Sequence, residues 1–215
     1  MRVTLIESGT SPDPVKAIAL AASKCYDSDP DKKLVERVLK SGHTSIAEHA
    51  KFEFDISEVS RVLSHQLVRK RIGFSYSQRS QRYCNEHNYD YTVPDSIRES
   101  NFLDEYVDKM EDLANFYTRM VEDEIPKEDA RFALPNATHT TLILSNNLRS
   151  LMDFCHERLC SRAQWEIREM ANKISQIIDI KWPVLGQFLR PKCKDIGYCP
   201  EYDSCGRMPK KEDVL

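Results

Sequence analysis

The spacing of hydrophobic and polar residues along the chain shows two periods, one typical of β-strands and one typical of α-helices. Hydrophobic residues that alternate with polar ones predict strands at residues 1–7, 52–56, 89–93 and 138–144. Hydrophobic residues three and four positions apart predict helices at residues 12–26, 31–40, 59–73, 95–125 and 147–178. Long helices with a few short strands predict an α+β fold, a single domain whose helices pack around a small, mostly antiparallel sheet.

Three segments outside these elements have patterns of their own. Ser45 and Glu48 have the spacing of a capping box, which predicts a short helical turn. Residues 74–84 are rich in Ser, Tyr, Gln and Arg and have no periodic hydrophobic face, which favours a functional loop. The last part of the chain is rich in Lys, Asp, Cys and Pro. We therefore expect a domain at residues 1–190 followed by an irregular tail at residues 191–215.

Length and composition narrow the class of protein. With 215 residues, of which 40% are hydrophobic and 30% charged, the chain can bury one sizeable core and lacks the composition of a disordered protein. Its hydrophobic runs fall far short of the roughly 20 residues of a membrane-spanning helix, and no secretory leader precedes Val3. The seven cysteines are an odd and scattered set, which favours reduced thiols. We expect a cytoplasmic protein without a membrane partner.

The cysteines do not predict a metal site. Cys193, Cys199 and Cys205 are evenly spaced but include no CxxC pair, and three ligands are too few for structural zinc. We expect free thiols in this part of the chain. Cys155 lies on the hydrophobic stripe of the last predicted helix and is expected to pack rather than to react.

Positive charge is concentrated in the segment from Val59 to Asn85, which contains no Asp or Glu. Its basic residues are Arg61, Arg69, Lys70, Arg71, Arg79 and Arg82. Such segregation predicts an anionic partner unless the fold brings acids from elsewhere. The six glycines form neither a dinucleotide-binding fingerprint nor a phosphate loop, so a phosphate would be held by side chains, for which the forked arginine guanidinium is suited.

The segment from Arg69 to Tyr83 also carries a more specific pattern. It resembles the signature of flavin-dependent thymidylate synthases, which is Arg-His-Arg, seven residues, and then Ser-x-Arg-Tyr. Arg69 and Arg71 match its beginning, and the run from Ser80 to Tyr83 matches its end. Here Lys70 stands where the family has histidine, and eight residues rather than seven separate Arg71 from Ser80.

Other parts of the chain resemble the same family in the same order, over roughly residues 40–185. The matching segments are Gly42-His43-x-Ser45-x-x-Glu48-His49, Gln66-x-x-Arg69, Ala130-Arg131-x-x-Leu134-Pro135, Asn147-x-Arg149-Ser150-Leu151-Met152-x-Phe154 and Ala163-Gln164-Trp165-Glu166. Two further departures are Gln78, where the family has glutamate, and Asp153, where it often has asparagine.

The resemblance implies which residues hold each ligand. The positions implied to contact dUMP are Gln66, Leu67, Val68, Arg69, Gln78, Arg79, Ser80, Gln81, Arg82, Arg131 and Arg158. The positions implied to hold FAD are His43, Ser45, Arg69, Lys70, Arg71, Gln78, Asn147, Arg149 and Asp153. Arg158 is implied to be catalytic, because a guanidinium against the pyrimidine edge stabilises negative charge that develops on the ring.

The resemblance also implies the reaction and the assembly. The expected activity is reductive methylation of dUMP to dTMP, with methylenetetrahydrofolate as carbon donor and FAD reduced by NADPH as hydride source. The expected assembly is a homotetramer with active sites shared between subunits, and no nucleic acid is expected as a partner.

Two alternatives remain open. Lys70, Gln78 and the additional residue before Ser80 would also suit a related flavoenzyme with a different pyrimidine or folate substrate. A basic RNA-binding module is the alternative from another class, in which Phe74, Tyr76 and Tyr83 would stack on bases.

Overall fold

The computed structural model describes residues 1–214, and its sheet has four strands in the order β1-β2-β4-β3. The strands are β1 (Arg2–Leu5), β2 (Lys51–Ser60), β3 (Phe74–Gln78) and β4 (His139–Asn147). Hydrogen bonds between the backbones of Ile6 and Glu53 (2.8 Å) and of Arg79 and Thr141 (2.9 Å) accompany the strand pairing. The chain therefore has the predicted α+β class, with a small antiparallel sheet.

Helices account for most of the remaining regular structure. The α-helices described in residues 1–214 are α1 (Pro14–Tyr26), α2 (Lys32–Lys40), α3 (Arg61–Leu67), α4 (Asp95–Arg98), α5 (Leu103–Glu122), α6 (Lys127–Ala130), α7 (Leu148–Arg158), α8 (Trp165–Lys181), α9 (Pro183–Gly186) and α10 (Lys192–Ile196). Short 3₁₀ helices occupy Glu7–Gly9, Thr44–His49, Arg131–Ala133 and Lys211–Asp213. None of the helices in the described chain combines the length and the apolar character needed to cross a membrane.

Side-chain caps explain where the first helices begin. Asp13 accepts a hydrogen bond from the backbone N–H of Lys16 (2.9 Å), and Pro14 occupies the first turn of α1. Asp31 caps α2 in the same way. Ser60 caps α3 by accepting from the backbone N–H of Leu63. These caps confirm the first two predicted helices and the start of the third.

The described chain groups into two compact units, each assembled from three separated segments. Unit 1 comprises residues 1–2, 56–69 and 76–143, and unit 2 comprises residues 3–55, 70–75 and the described chain from residue 144 onward. Since the chain passes repeatedly from one unit to the other, neither unit is a contiguous domain. The segment after residue 190 belongs to unit 2 and includes α10.

Each unit has its own buried side chains. Fully buried residues of unit 1 include Ile56, Val59, Leu63, Leu67 and Tyr117. Fully buried residues of unit 2 include Ile18, Val35, Phe52, Phe54, Leu144, Leu148, Leu151, Cys155, Ile167, Ile174 and Ile178. The alternation of buried and partly exposed residues in β2 and β4 is the period of two that predicted these strands.

The predicted helix at residues 147–178 is two helices, α7 and α8. The chain leaves the helical path after Arg158 and resumes it at Trp165. Gln164 starts α8 by accepting hydrogen bonds from the backbone N–H groups of Glu166 and Ile167, both 3.1 Å long. The prediction of one continuous helix was wrong because the hydrophobic stripe continues across the break and masks the start of a new helix that Gln164 caps.

The predicted helix at residues 95–125 is also interrupted. The hydroxyl of Ser100 accepts a hydrogen bond from the backbone N–H of Phe102 and donates one to the carbonyl of Ile97, which separates α4 from α5. The helix predicted to end near Gly73 instead ends at Leu67.

Two further predictions about segments were wrong. Residues 74–78 form β3 rather than a loop, because Phe74 is buried while the small serines that follow lie on the exposed side. Residues 89–93 make only an isolated bridge, between Tyr91 and Thr138. The turn at Ser45 is present as a 3₁₀ helix, but its N-cap residue makes no side-chain capping bond.

Candidate functional site

A cavity in unit 1 brings together cationic and amide side chains from separate parts of the chain. Its volume is about 260 Å³. The lining residues are Arg61, His65, Gln81, Arg131, Phe132, Leu134, Pro135 and Asn136. We call this the arginine cavity. Its size and polarity suit part of a small anionic molecule.

Arg61 is the most enclosed cation of the arginine cavity. Its Nη2 donates a hydrogen bond to Oε1 of Gln81 (2.9 Å). Burial lowers the pKa of the Arg61 guanidinium from its usual value, Arg131 lowers it further, and Glu86 raises it. A bound anion near Arg61 and Arg131 would stabilise the charge of both guanidinium groups.

Two residues of the arginine cavity, Gln81 and Arg131, were predicted from the sequence, whereas Arg61 and His65 were not assigned a ligand. Arg61 and His65 are four residues apart on α3 and therefore share one face of the helix. This spacing, inside a segment without acids, is the signal that could have identified them.

The turn after β3 is held by ion pairs with acidic residues outside the basic segment. Arg79 Nε donates to Oε1 of Glu86 (3.0 Å), and Arg79 Nη2 donates to the carbonyl of Asn85 (2.9 Å). The hydrogen bond to Glu86 raises the pKa of Arg79. Arg82 forms an ion pair with Glu128. These two arginines shape the turn, and their charges are partly matched within the chain.

The other predicted nucleotide positions in unit 1 differ in accessibility. Leu67 is fully buried, and its carbonyl accepts a hydrogen bond from the Tyr76 hydroxyl (2.8 Å). Gln78 donates to the hydroxyls of Ser64 and Thr140, at 3.0 and 3.2 Å. Gln66, Val68 and Ser80 are at least half-buried, whereas Arg69 is exposed. A ligand would meet Leu67 through its backbone only.

Several of the predicted ligand residues carry guanidinium groups without an anionic partner in the described chain. Within residues 1–214, the side chains of Arg69, Arg71 and Arg158 make no ion pair. Arg69 and Arg71 are exposed in the turn before β3, and Arg158 is half-buried at the end of α7. Such groups can bind phosphate or an anionic ring without first breaking a salt bridge.

A second cavity, in unit 2, lies beside the start of α7. Its volume is about 410 Å³. The lining residues are Gly9, Glu48, Lys51, Phe52, Gly73, Ser75, Ser145, Asn146 and Asn147. We call it the asparagine cavity. Asn147 is the N-cap of α7 and forms a reciprocal capping box with Ser150.

The asparagine cavity is lined by a buried side-chain amide that makes no hydrogen bond in the described chain. Asn146 is only 5% exposed, and neither its Oδ1 nor its Nδ2 has a hydrogen-bond partner within residues 1–214. A buried amide without partners is costly, so it is a suitable contact for a ligand that supplies a donor and an acceptor. The residues present here fit a polar organic cofactor.

The other predicted flavin residues of unit 2 include two ion pairs. Lys70 Nζ lies 2.8 Å from Oε1 of Glu157, and Arg149 Nη1 lies 2.7 Å from Oε1 of Glu48, a lining residue of the asparagine cavity. The His43 ring is hydrogen-bonded to the Tyr26 hydroxyl. The remaining members of the set, Ser45 and Asp153, are exposed.

Cys155 is a packing residue, as predicted. It is fully buried, and burial raises the pKa of its thiol, which makes the reactive thiolate rare. All seven cysteines have free thiols.

Comparison with known proteins gives one consistent result. The family model described as "Thymidylate synthase complementing protein" matches residues 4–184. The chain is 38% identical to the flavin-dependent thymidylate synthase of Geobacter sulfurreducens, over 96% of this chain and 94% of the relative. It is 41% identical to that of Pyrococcus abyssi, over 94% and 90%. It is 35% identical to that of Clostridium tetani, over 100% and 96%.

Proposed function

We propose that this chain, which belongs to the flavin-dependent thymidylate synthase family, converts dUMP to dTMP. The carbon comes from methylenetetrahydrofolate. FAD, reduced by NADPH, supplies the hydride when bound. The observation that supports the proposal best is the arginine cavity, in which Arg61, Gln81 and Arg131 converge without an acidic lining residue.

The arginine cavity suits the phosphate of a nucleotide. Arg131 and Arg61 offer forked N–H donors, which pair with two phosphate oxygens at once, and Gln81 offers an amide. Because burial and Arg131 both lower the pKa of Arg61, bound phosphate would stabilise the charged form of this guanidinium. Nucleotide binding in unit 1 would also use Gln66, Arg69 and the segment 78–82.

Flavin binding is proposed for the side chains around the asparagine cavity. Asn147 and the unpartnered Asn146 offer amide donors and acceptors. Arg71 offers an unpaired positive charge for the pyrophosphate. Lys70 can act there as a point charge. Unlike an imidazole, its ammonium group cannot shuttle protons at neutral pH. The other proposed contacts are His43, Ser45, Arg69, Gln78, Arg149 and Asp153.

Arg158 is the proposed catalytic residue. An unpaired guanidinium at the ring edge would stabilise negative charge on the pyrimidine, and that charge makes carbon 5 a stronger nucleophile towards the one-carbon unit. The half-buried position of Arg158 strengthens the interaction, since partial exclusion of water reduces screening.

We further propose a homotetramer in which active sites are shared between subunits. Large hydrophobic side chains on the predicted ligand segments are exposed in the single chain, as in Ile72 (89%), Tyr83 (73%) and Phe132 (85%). Side chains of this kind are common at subunit interfaces. Sedimentation equilibrium should give four times the mass of one chain; a stable monomer would contradict the shared sites. A cytoplasmic location fits the free thiols.

The activity can be tested by release of tritium from carbon-5-labelled dUMP. Purified, FAD-loaded protein should release tritium and form dTMP only when methylenetetrahydrofolate and NADPH are both present. No release from reduced protein, at any folate concentration, would refute the synthase activity. Turnover of a different labelled pyrimidine but not of dUMP, or turnover only with a different folate, would favour a related flavoenzyme with an altered substrate. Colourless protein that retains RNA in a steeply salt-dependent way would favour the RNA-binding alternative.

Replacing Arg61 by alanine should raise the KM for dUMP roughly 10- to 100-fold, the effect of losing one charge-assisted hydrogen bond. Flavin content should stay unchanged, because Arg61 lies outside the proposed flavin set. The measurements are KM from tritium release and flavin absorbance per chain. Arg61→Lys keeps the charge but loses the fork, so an intermediate KM is expected. Equal KM values for the wild-type protein and both variants would exclude Arg61 from the nucleotide site.

A further inference from the structure

Four cysteine side chains converge on one small cavity in unit 2. Cys160, Cys193, Cys199 and Cys205 all line it. Cys160 lies in the loop after α7, whereas the other three lie in the last part of the chain. The volume of the cavity, about 30 Å³, is close to the space of one water molecule. It can take a single ion rather than an organic ligand.

The four thiols line the same cavity from two separate segments of the chain. A single cation between them can hold both segments, because deprotonated cysteine is the sulfur ligand that Zn²⁺ takes in proteins.

The last part of the chain buries little hydrophobic surface and is held mainly by polar contacts at the surface. Among residues 191–214, Cys199 is the only buried residue. Its backbone N–H donates to the carbonyl of Pro209 (2.7 Å). Asp195 on α10 contacts His156 of α7 and Arg190. A segment that buries so little hydrophobic surface cannot offset its loss of conformational entropy, and metal ligation is a common way for short segments to do so.

We propose that Cys160, Cys193, Cys199 and Cys205 bind one zinc ion that fastens the C-terminal segment to the loop after α7. Four thiolates in a tetrahedron are a preferred set for structural Zn²⁺ and leave no open position for catalysis. Each thiol releases its proton to solvent as its sulfur binds the ion. The set then carries excess negative charge, part of which Lys192 and Arg207 offset on a cavity wall that also includes Glu201.

The thiols must close on the ion as it binds. Within residues 1–214, no three His, Cys, Asp or Glu side chains already stand in place to hold a metal. Cys205 is exposed and Cys160 and Cys193 are only partly buried, so these three thiols can move towards the buried Cys199. A disulfide is the competing fate of such thiols, but pairing them requires an oxidant, whereas zinc binding does not.

Metal content of the full chain tests the proposal independently of activity. Protein expressed with zinc and purified under reducing conditions should retain about one zinc per chain, measured by inductively coupled plasma mass spectrometry. Replacing the bound zinc with Co²⁺ should give sulfur-to-cobalt charge-transfer absorption. Chelation should expose the last part of the chain to trypsin at Lys194 and Arg207, while the rest resists cleavage.

Two variants locate the site, and two control for it. Cys199→Ser and Cys205→Ser should each lose most of the zinc; the second replaces an exposed residue and should not impair folding. Cys25→Ser and Cys84→Ser, which lie elsewhere in the chain, should retain it. Protein without zinc, or zinc content that is unchanged in Cys199→Ser and Cys205→Ser, would overturn the proposal. A disulfide among the four cysteines in metal-free protein, detected by mass spectrometry, would replace it with a redox pair.

Discussion

Replacing Arg158 by alanine should lower kcat by roughly 100- to 1,000-fold, the usual loss when one preorganised donor to a developing anion is removed. The free energy of unfolding should change little. Arg158 has no ion pair within residues 1–214, so its removal leaves no buried acid without a partner. The KM for dUMP should change less than kcat, because the interaction strengthens as charge develops in the transition state.

Steady-state tritium release gives kcat and KM for this variant, and denaturant unfolding gives its stability. Arg158→Lys keeps a positive charge but lacks the planar fork, so its loss in kcat should be smaller. Arg98→Ala is the matched control, since Arg98 is exposed on α4 and forms its ion pair with Asp95 on the same helix. An Arg158→Ala enzyme with normal kcat and a raised KM would show that Arg158 binds substrate and transition state equally.

Elements whose signals are local were predictable from the sequence. Asp13 with Pro14, and Asp31, mark the starts of α1 and α2 through bonds that reach only three residues ahead. The alternation of Phe52, Phe54 and Ile56 identified β2 for a similar reason, since the strand has one buried face and one polar face.

Two elements were not predicted, for different reasons. The break between α7 and α8 was masked by the hydrophobic stripe from Leu151 through Leu159 to Ile167, which is compatible with one helix, although Gln164 caps α8 locally. In β3, hydrogen bonding of Gln78 to Ser64 and Thr140 anchors a strand whose small serines lack a hydrophobic period.

The basic residues near the candidate site were evident from the sequence, but the acidic residues that pair with them were not. The acid-free segment identified Arg61, Arg79 and Arg82 as a positive cluster, yet Arg79 and Arg82 pair with Glu86 and Glu128, which lie beyond the segment. The cavity lined by four cysteines was not predicted, for a related reason. Cys160 lies on another loop, so only folding brings a fourth thiol to the three evenly spaced ones.

Replacing Gly73 by alanine should lower the free energy of unfolding by roughly 2–5 kcal/mol, the sum of a backbone term and a steric term. Gly73 has a φ of +71°, which an L-residue adopts only at a cost of about 1–2 kcal/mol. An added Cβ would lie 2.7 Å from the Cβ of Ser150. Ser150 cannot move freely, because it is buried, completes the cap of α7 and donates a hydrogen bond to the Gly73 carbonyl.

Gly42→Ala separates the two terms, because Gly42 has a similar φ of +80° and an added Cβ there meets nothing within 4 Å. This variant should therefore lose only the backbone term, about 1–2 kcal/mol. Both variants are compared with wild type by denaturant unfolding at one protein concentration, since assembly makes apparent stability concentration-dependent. The difference between them measures the contact of Gly73 with Ser150. Equal losses would mean that the turn before β3 shifts away from α7, and the asparagine cavity, which Gly73 lines, should then lose affinity for flavin in Gly73→Ala alone.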